Sequence, residues 1–463
     1  TEPATCVQTE NEVAHTIHTT EEEKIEETIS TEEHDMDDEE QTADTMEMES
    51  EYVPLEQPIL GSRIIGGVRK SHRIDSRRRI EARLLRVYRL TVKKALKKNE
   101  HSSKKSILKE LQQIVDKRVW EVIEKASLSR AQLRKVIRSS MFLKEKFTSD
   151  GQFDKLKARL VAGGDMQDKT LYDNLSSPTV AQETVMMLLA IAAIEGREIA
   201  TIDITGAYLE CDFAEDDEVI MTLDPMLTTL LKQIDPTIEG KQDERGVTYV
   251  KLKKALYGCI QSAKLWYDKL CGVLMEDGYT KNDYDPCLFN KSVDGVQISV
   301  AFHVDDLLIT SKNATLIDGL QTHLEKTFEA ITVNRGSKHS YLAMNLVITE
   351  DGLQLDMIAY IEKCLEGREL GRKVGSPATD DLFEVPEDSR PLDAEGSAKF
   401  HSDVAKLLYL AKRTRGEILA AVSHLSGRVM APTIDDEFKL KRVFTYLMST
   451  KDEVMTFASG GAM

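Results

Sequence analysis

The sequence predicts an α+β fold, an antiparallel sheet with helices packed on one face, and three observations carry that expectation. Two apolar runs, 296–302 and 307–310, are rich in β-branched and aromatic residues and read as the arms of a hairpin. A further strand is expected over Glu198–Ile204, which reads EIATIDI. Stretches with helical periodicity surround them, over 181–195, 263–276 and 314–328. The resulting order is helix, strand, loop, helix, hairpin, helix.

The acids within these strands are the first candidate for chemistry. Asp305 and Asp306 sit together where the hairpin must turn back, and Asp203 lies near the end of the 198–204 strand. A buried charge is costly unless it is paired or holds a metal. A bare Asp-Asp in a chain with 79 acids is weak by itself, since a solvated acidic turn reads the same way. A third acid in an otherwise apolar strand strengthens it. Carboxylates that converge from two strands can share divalent cations, and hard ions such as Mg²⁺ prefer few carboxylates plus substrate phosphates. Gly206, Ala207 and Tyr208 follow at once, so the backbone can pass closely by something there.

Composition bounds the rest. A length of 463 residues allows two to four domains. The longest apolar run, 185–194, is too short to cross a bilayer, so no membrane is expected. The six cysteines form no C-x-x-C pair and no zinc spacing, which suggests reduced thiols in an intracellular protein. Residues 1–58 hold 20 acids and one base, Lys24. With the chain at −18 and this segment at −19, the remainder balances at +1. The segment is poor in aromatics and is expected to be a disordered acidic tail or linker. Residues 59–100 reverse the charge, with Arg77, Arg78 and Arg79 at the centre of a basic linker or helix. Such a run could neutralise phosphates, direct the chain to the nucleus, or pair with the acidic tail.

Along the body, helical periodicity is expected over 103–137, with Ile107, Leu111 and Ile114 and then Trp120, Val122 and Ile123. A hairpin follows, from 141–147 through a turn at 148–151. Its second arm alternates Lys155, Lys157 and Arg159 with Leu156, Ala158 and Leu160. A basic face of this kind suits a triphosphate, though on this stretch alone a solvated outer face is the plainer reading. The apolar helix 181–195 stops at Gly196. Residues 211–246 are acidic and expected to be a loop with a short helix near 226–234. A short strand at 249–252, a turn at 255–258 and the helix ending before Gly278 lead into the hairpin of the paired acids.

Several blocks, in order, give these residues a family. KARLV (157–161), DITGAYL (203–209), LYGCIQSAKLW (256–266), FHVDD (302–306) and YLAM (341–344) resemble motifs of the reverse transcriptase of copia-type LTR retrotransposons, part of a Pol polyprotein. LYGCIQSAKLW is similar to that family's LYGLKQAPRxW, and FHVDD to its YVDD. LLYLA (407–411), Thr414-Arg415 and YLMST (446–450) resemble its connection segment. The departures are His303 for Tyr, Ala343 for Gly, Ala263 and Gly416 for Pro, and GGDMQ (163–167) for KGFxQ.

The resemblance implies a right-hand polymerase fold. It places fingers and palm, the latter with an antiparallel sheet, over 101–350 and the thumb or connection segment over 351–463, with ribonuclease H absent. It implies an RNA-directed DNA polymerase, a nucleotidyltransferase that joins a dNTP to a primer 3′-OH with two Mg²⁺ or Mn²⁺ ions. Asp203, Asp305 and Asp306 would be catalytic and bind the metals, Asp305 bridging both ions and Asp306 more weakly. Lys157 and Arg159 would hold the phosphates. Tyr208 would exclude the ribose 2′-OH and Gln261 would line the nucleotide pocket. Tyr341, Leu342 and Met344 would form the primer grip. Partners would be an RNA or DNA template with its primer, dNTPs and other Pol polyprotein products. The location would be intracellular, in a cytoplasmic virus-like particle, the nucleus, or both. Two other readings stay open at this point: a decayed or domesticated nucleic-acid-binding descendant, and a two-metal enzyme acting on free nucleotides.

Overall fold

The computed structural model describes residues 90–147, 153–168, 170, 172, 174–215 and 217–459. The acidic segment 1–58, most of the basic segment, the turn expected over 148–151 and Cys6 lie outside them. The chain divides into two compact units. The described parts of the first are 90–178 and 206–273; those of the second are 179–205 and 274–459.

In the first unit, Asn99 caps the helix Glu100–Asp116 by accepting from the Ser102 amide at 3.0 Å. The helix buries Ile107, Leu111 and Ile114 against a six-stranded sheet. It ends well short of the expected 137. Arg118 takes a left-handed backbone (φ 50°), and Trp120–Ile123 then runs as a strand paired with Thr248–Leu252. Trp, Val and Ile read as helix or strand with equal ease in so short a run, and the ladder partner decided. The strands Ile137–Phe147 and Phe153–Ala162 form the expected hairpin, with Lys157 opposite Lys144 and Arg159 opposite Phe142. The acidic stretch expected to be a loop supplies a strand, Ile220–Leu223, which pairs with both Ile137–Phe147 and Thr248–Leu252. Its four residues are almost wholly buried, so pairing on both sides won over the surrounding loop character. The helix Pro225–Leu231 follows, started by Asp224, which accepts from the Leu227 amide at 2.8 Å.

The second unit is built on an antiparallel six-stranded sheet. Its order is Ile331–Asn334, Glu198–Ile204, Asp306–Ser311, Val296–His303, Leu288–Val293 and Thr280–Lys281. The helix Gln182–Glu195 closes on Gly196 in the left-handed region (φ 64°), and it and the helix Ala314–Thr327 pack on this sheet. A second sheet of four strands joins Lys338–Tyr341, Met344–Thr349, Gly352–Asp356 and Met455–Ala458. Four helices complete the unit: Ile358–Leu365, Ala394–Ala411, Leu419–Arg428 and Ile434–Ser449. The last begins in a capping box, with Thr433 and Asp436 satisfying each other's backbone amides. Among the described residues no helix is long and apolar enough to cross a membrane.

Candidate active site

The strand ladder sets the acids. Asp306 pairs directly with Asp203 across two adjacent strands of the sheet, and the ladder continues with the Ile204 amide donating to the Asp305 carbonyl at 3.0 Å. Residues directly opposite in an antiparallel pair share a face, their Cβ atoms roughly 4.5–5.5 Å apart. Asp203 and Asp306 therefore project to one side at one end of the sheet, and both are exposed. Thr205 donates its hydroxyl to Asp203 Oδ2 at 3.3 Å. Val304 and Asp305 form the two-residue loop between His303 and Asp306. Val304 lies at φ 59°, a region that a β-branched side chain resists, at a cost on the order of 1–3 kcal/mol. Asp305, in the loop, is not bound to the ladder's alternation of faces.

Among the described residues no group of three or more His, Cys, Asp or Glu side chains is gathered closely enough to hold a metal by itself. The donor chemistry still fits a hard cation, because Mg²⁺ binds through one or two carboxylates and completes its shell with water and substrate phosphate.

The hairpin of Lys338–Tyr341 and Met344–Thr349 is tied to the acid strand. Thr201 Oγ1 and His339 Nδ1 share a hydrogen bond of 3.2 Å, and Thr201 lies two residues before Asp203, on the same face of its strand. Burial holds the His339 imidazole below the usual histidine range. Tyr341 is 2 % exposed and Met344 is wholly buried, so these two expected primer-grip side chains are core. Burial, and next the Asp306 charge, push the Tyr341 phenol upward. The tip residues Leu342 and Ala343 both have left-handed backbone, φ 47° and 65°. That is a type I′ turn made without the usual Asn-Gly.

In the first unit the assigned residues are held by their neighbours. Arg159 Nη1 donates to Glu110 Oε2 at 3.3 Å, and its guanidinium lies 4.9 Å from the Tyr257 ring centroid. Glu110 also accepts from the Leu160 amide, yet burial pushes its carboxyl up. Tyr208 packs edge-on against Tyr257 with ring centroids 4.9 Å apart, in the short helical turn Ala207–Glu210. Beneath that turn, Lys117 is paired with the buried Glu210 carboxylate and Lys269 donates to the Glu210 carbonyl. Gln261 is 4 % exposed; it accepts from Gln167 Nε2 at 3.2 Å and donates to Tyr172 at 3.0 Å. Gln167 in turn accepts from the Ile260 amide at 3.0 Å.

Two glycines allow this close packing. A Cβ on Gly258 (φ 90°) would stand 2.2 Å from the Ala162 carbonyl oxygen, and one on Gly164 would stand 1.9 Å from the Gly258 carbonyl oxygen. Of GGDMQ, then, Gly164 and Gln167 are the members that seat the 258–261 loop. Sequence reasoning missed Glu110, Tyr172 and Tyr257, whose partners lie dozens of residues away. Five described cysteines are free and buried, and burial raises the Cys211 and Cys259 thiols to about 12, away from the thiolate form that reacts.

A ladder that presents acids at one end of an antiparallel sheet is what the motifs anticipate, and comparison with known proteins names the class. The family model described as Reverse transcriptase (RNA-dependent DNA polymerase) matches residues 117–378, more than half of the chain. The chain belongs to that family. It is 28% identical over 323 residues to the retrovirus-related Pol polyprotein from transposon RE1 of Arabidopsis thaliana, covering 69% of this chain and 21% of that one. The corresponding protein from transposon TNT 1-94 of Nicotiana tabacum is 27% identical over 335 residues, covering 70% and 24%. The transposon Ty1-LR2 Gag-Pol polyprotein of Saccharomyces cerevisiae is 24% identical over 368 residues, covering 74% and 19%. The resemblance to copia-type retrotransposon polymerases is thereby shown, and the chain spans about a fifth of the length of these relatives. A solved foamy viral protease–reverse transcriptase in complex with double-stranded DNA overlaps at 13% identity and a TM-score of 0.32, covering 71% of this chain and 48% of that one. An overlap that low says nothing further about architecture.

Proposed function

We propose that this chain is the polymerase portion of a copia-type Pol polyprotein and extends a DNA primer on an RNA or DNA template by adding dNTPs. The observation that carries the reading is the ladder that seats Asp203 opposite Asp306, with Asp305 in the loop between strands. In this reading Asp203, Asp305 and Asp306 hold two Mg²⁺ or Mn²⁺ ions. Bound ions of this kind lower the pKa of the attacking hydroxyl and neutralise the leaving pyrophosphate.

The chain's own residues supply position. Lys157 meets the triphosphate, and Arg159, already fixed by Glu110, adds a charge whose direction is set before substrate arrives. Tyr208, pinned against Tyr257, walls off the 2′ position of the sugar. Gln261 holds its side of the nucleotide pocket through Gln167 and Tyr172. Primer contact falls to the backbone and tip of the 338–349 hairpin, because Tyr341 and Met344 face inward. The second unit's six-stranded sheet is the palm of this reading, the first unit carries the fingers, and the helices after 357 form the thumb or connection. An intracellular site, in a virus-like particle or the nucleus, and other Pol products as partners complete the proposal.

Primer extension on poly(rA)/oligo(dT) with Mg²⁺ or Mn²⁺ tests it. Extension that Asp203→Asn abolishes is the expected result. A chain that binds the duplex without extending it is instead a descendant without turnover, and one that converts free nucleotides alone is a different two-metal enzyme.

A further inference from the structure

The hairpin tip that the proposed function assigns to the primer is built from the wrong turn residues. A type I′ turn needs positive φ at both central positions and favours Asn-Gly. Leu342 and Ala343 occupy those positions here, at φ 47° and 65°. L-residues resist that region because the Cβ crowds the following carbonyl oxygen. Something outside the hairpin must over-determine a turn of this kind.

The helix Ala394–Ala411 supplies it. Tyr409 donates its hydroxyl to the Leu342 carbonyl at 3.2 Å, reaching across 67 positions of the chain. The Tyr409 ring is itself fixed. The Arg413 guanidinium stacks 3.5 Å from its centroid and donates to the Tyr409 carbonyl at 3.1 Å. Tyr360 packs at 5.4 Å between centroids and donates its own hydroxyl to the Lys406 carbonyl at 3.2 Å. The other end of the hairpin is fastened by His339 to Thr201 on the acid strand.

We propose that Tyr409 is a positioning residue for primer: its hydroxyl clamps the strained 342–343 turn and so sets the distance from the primer-holding tip to the strand that carries Asp203. This rests on the polymerase reading above. In this role Tyr409 acts through the Leu342 carbonyl.

The test uses the whole chain in three variants: Tyr409→Phe, Ala343→Gly and both together. Phenylalanine keeps the ring stacking and removes only the hydroxyl. Glycine at 343 removes the strain at one of the two left-handed positions, so the turn depends less on the tie. Tyr409→Phe is expected to raise KM for template–primer about 3- to 10-fold, the factor a single neutral hydrogen bond carries, with KM for dTTP unchanged. Amide exchange over 338–349 quickens by a similar factor. In the Ala343→Gly background the same change has a smaller effect on both readouts. Equal shifts in both KM values, or an effect undiminished by Ala343→Gly, overturn the clamp. A wild-type chain that binds template–primer without extending it sinks the polymerase reading; Kd for the duplex and amide exchange then decide the clamp. A wild-type chain that neither binds nor extends overturns both.

Discussion

Asp203 and Asp306 stand exposed at the end of the second unit's sheet, whereas Gln261, Tyr208 and Glu110 of the first unit are shut away from solvent and bonded to their neighbours. Under the proposed function the difference follows from what each group would have to do. A carboxylate that is to receive a cation has to stay hydrated and unneutralised, and an exposed strand end keeps it so at little cost to stability. A residue that shapes a pocket has to be immobile beforehand, and burial with satisfied hydrogen bonds achieves that. Substitutions should therefore separate cleanly, the acids costing activity and the pocket residues costing stability.

The largest effect is expected at the acids. Asp203→Asn and Asp305→Asn should each lower kcat by about 10²–10³, the scale of losing a group that stabilises developing charge, while the melting temperature stays put. Asp306→Asn should fall less far; the reverse order for the last two would assign the main role by strand register instead. A large drop in melting temperature in any of the three would erase the contrast between the units.

Gly258→Ala is the counterpart in the first unit. Its Cβ meets backbone at 2.2 Å in a left-handed conformation, which should cost on the order of 3 kcal/mol in a denaturant melt. Gly196→Ala, with nothing within 4 Å of the new carbon, should cost only about 1 kcal/mol. Equal losses would mean the 258–261 loop is not seated as described. Gln261→Leu strands the Gln167 amide and takes one hydrogen-bond partner from the Tyr172 hydroxyl, and a loss of about 1–3 kcal/mol is expected. The change should show in urea midpoint before it shows in dTTP affinity.

The smallest effect is a pH dependence. Burial depresses the folded-state pKa of His339 below its ordinary 6.5. The unfolded chain then binds the proton more readily, so stability falls as pH drops below 6.5 and is complete above it. His424, also depressed by burial, contributes in the same direction. His339→Gln should flatten part of that slope, seen in melts between pH 7 and pH 5. An unchanged slope would mean that the folded and unfolded chains bind the His339 proton equally well.

Much of the second unit was legible. The strand Glu198–Ile204 falls where its apolar pattern put it, and the hairpin arms Val296–His303 and Asp306–Ser311 differ by a residue or so. Such runs are buried by neighbours on both sides, so their own composition fixes them. The first unit was harder to read. Trp120–Ile123 and Ile220–Leu223 are four-residue strands whose partners are distant in sequence, and neither carries enough periodicity to declare itself. The strands after 330 also went unread; Ile331–Asn334 and Met455–Ala458 have partners distant in sequence, while Lys338–Tyr341, Met344–Thr349 and Gly352–Asp356 pair across tight turns.

The sequence by itself determined which residues are acidic, where the apolar runs lie and which motifs link the chain to its family, because those are properties of neighbours along the backbone. Only the tertiary structure decided that Asp203 faces Asp306, that Arg159 answers to Glu110, that Tyr341 points inward and that Tyr409 reaches Leu342. Each of these is a contact across many residues of chain. Register and long-range pairing are set by how whole faces bury together, and no local pattern encodes them.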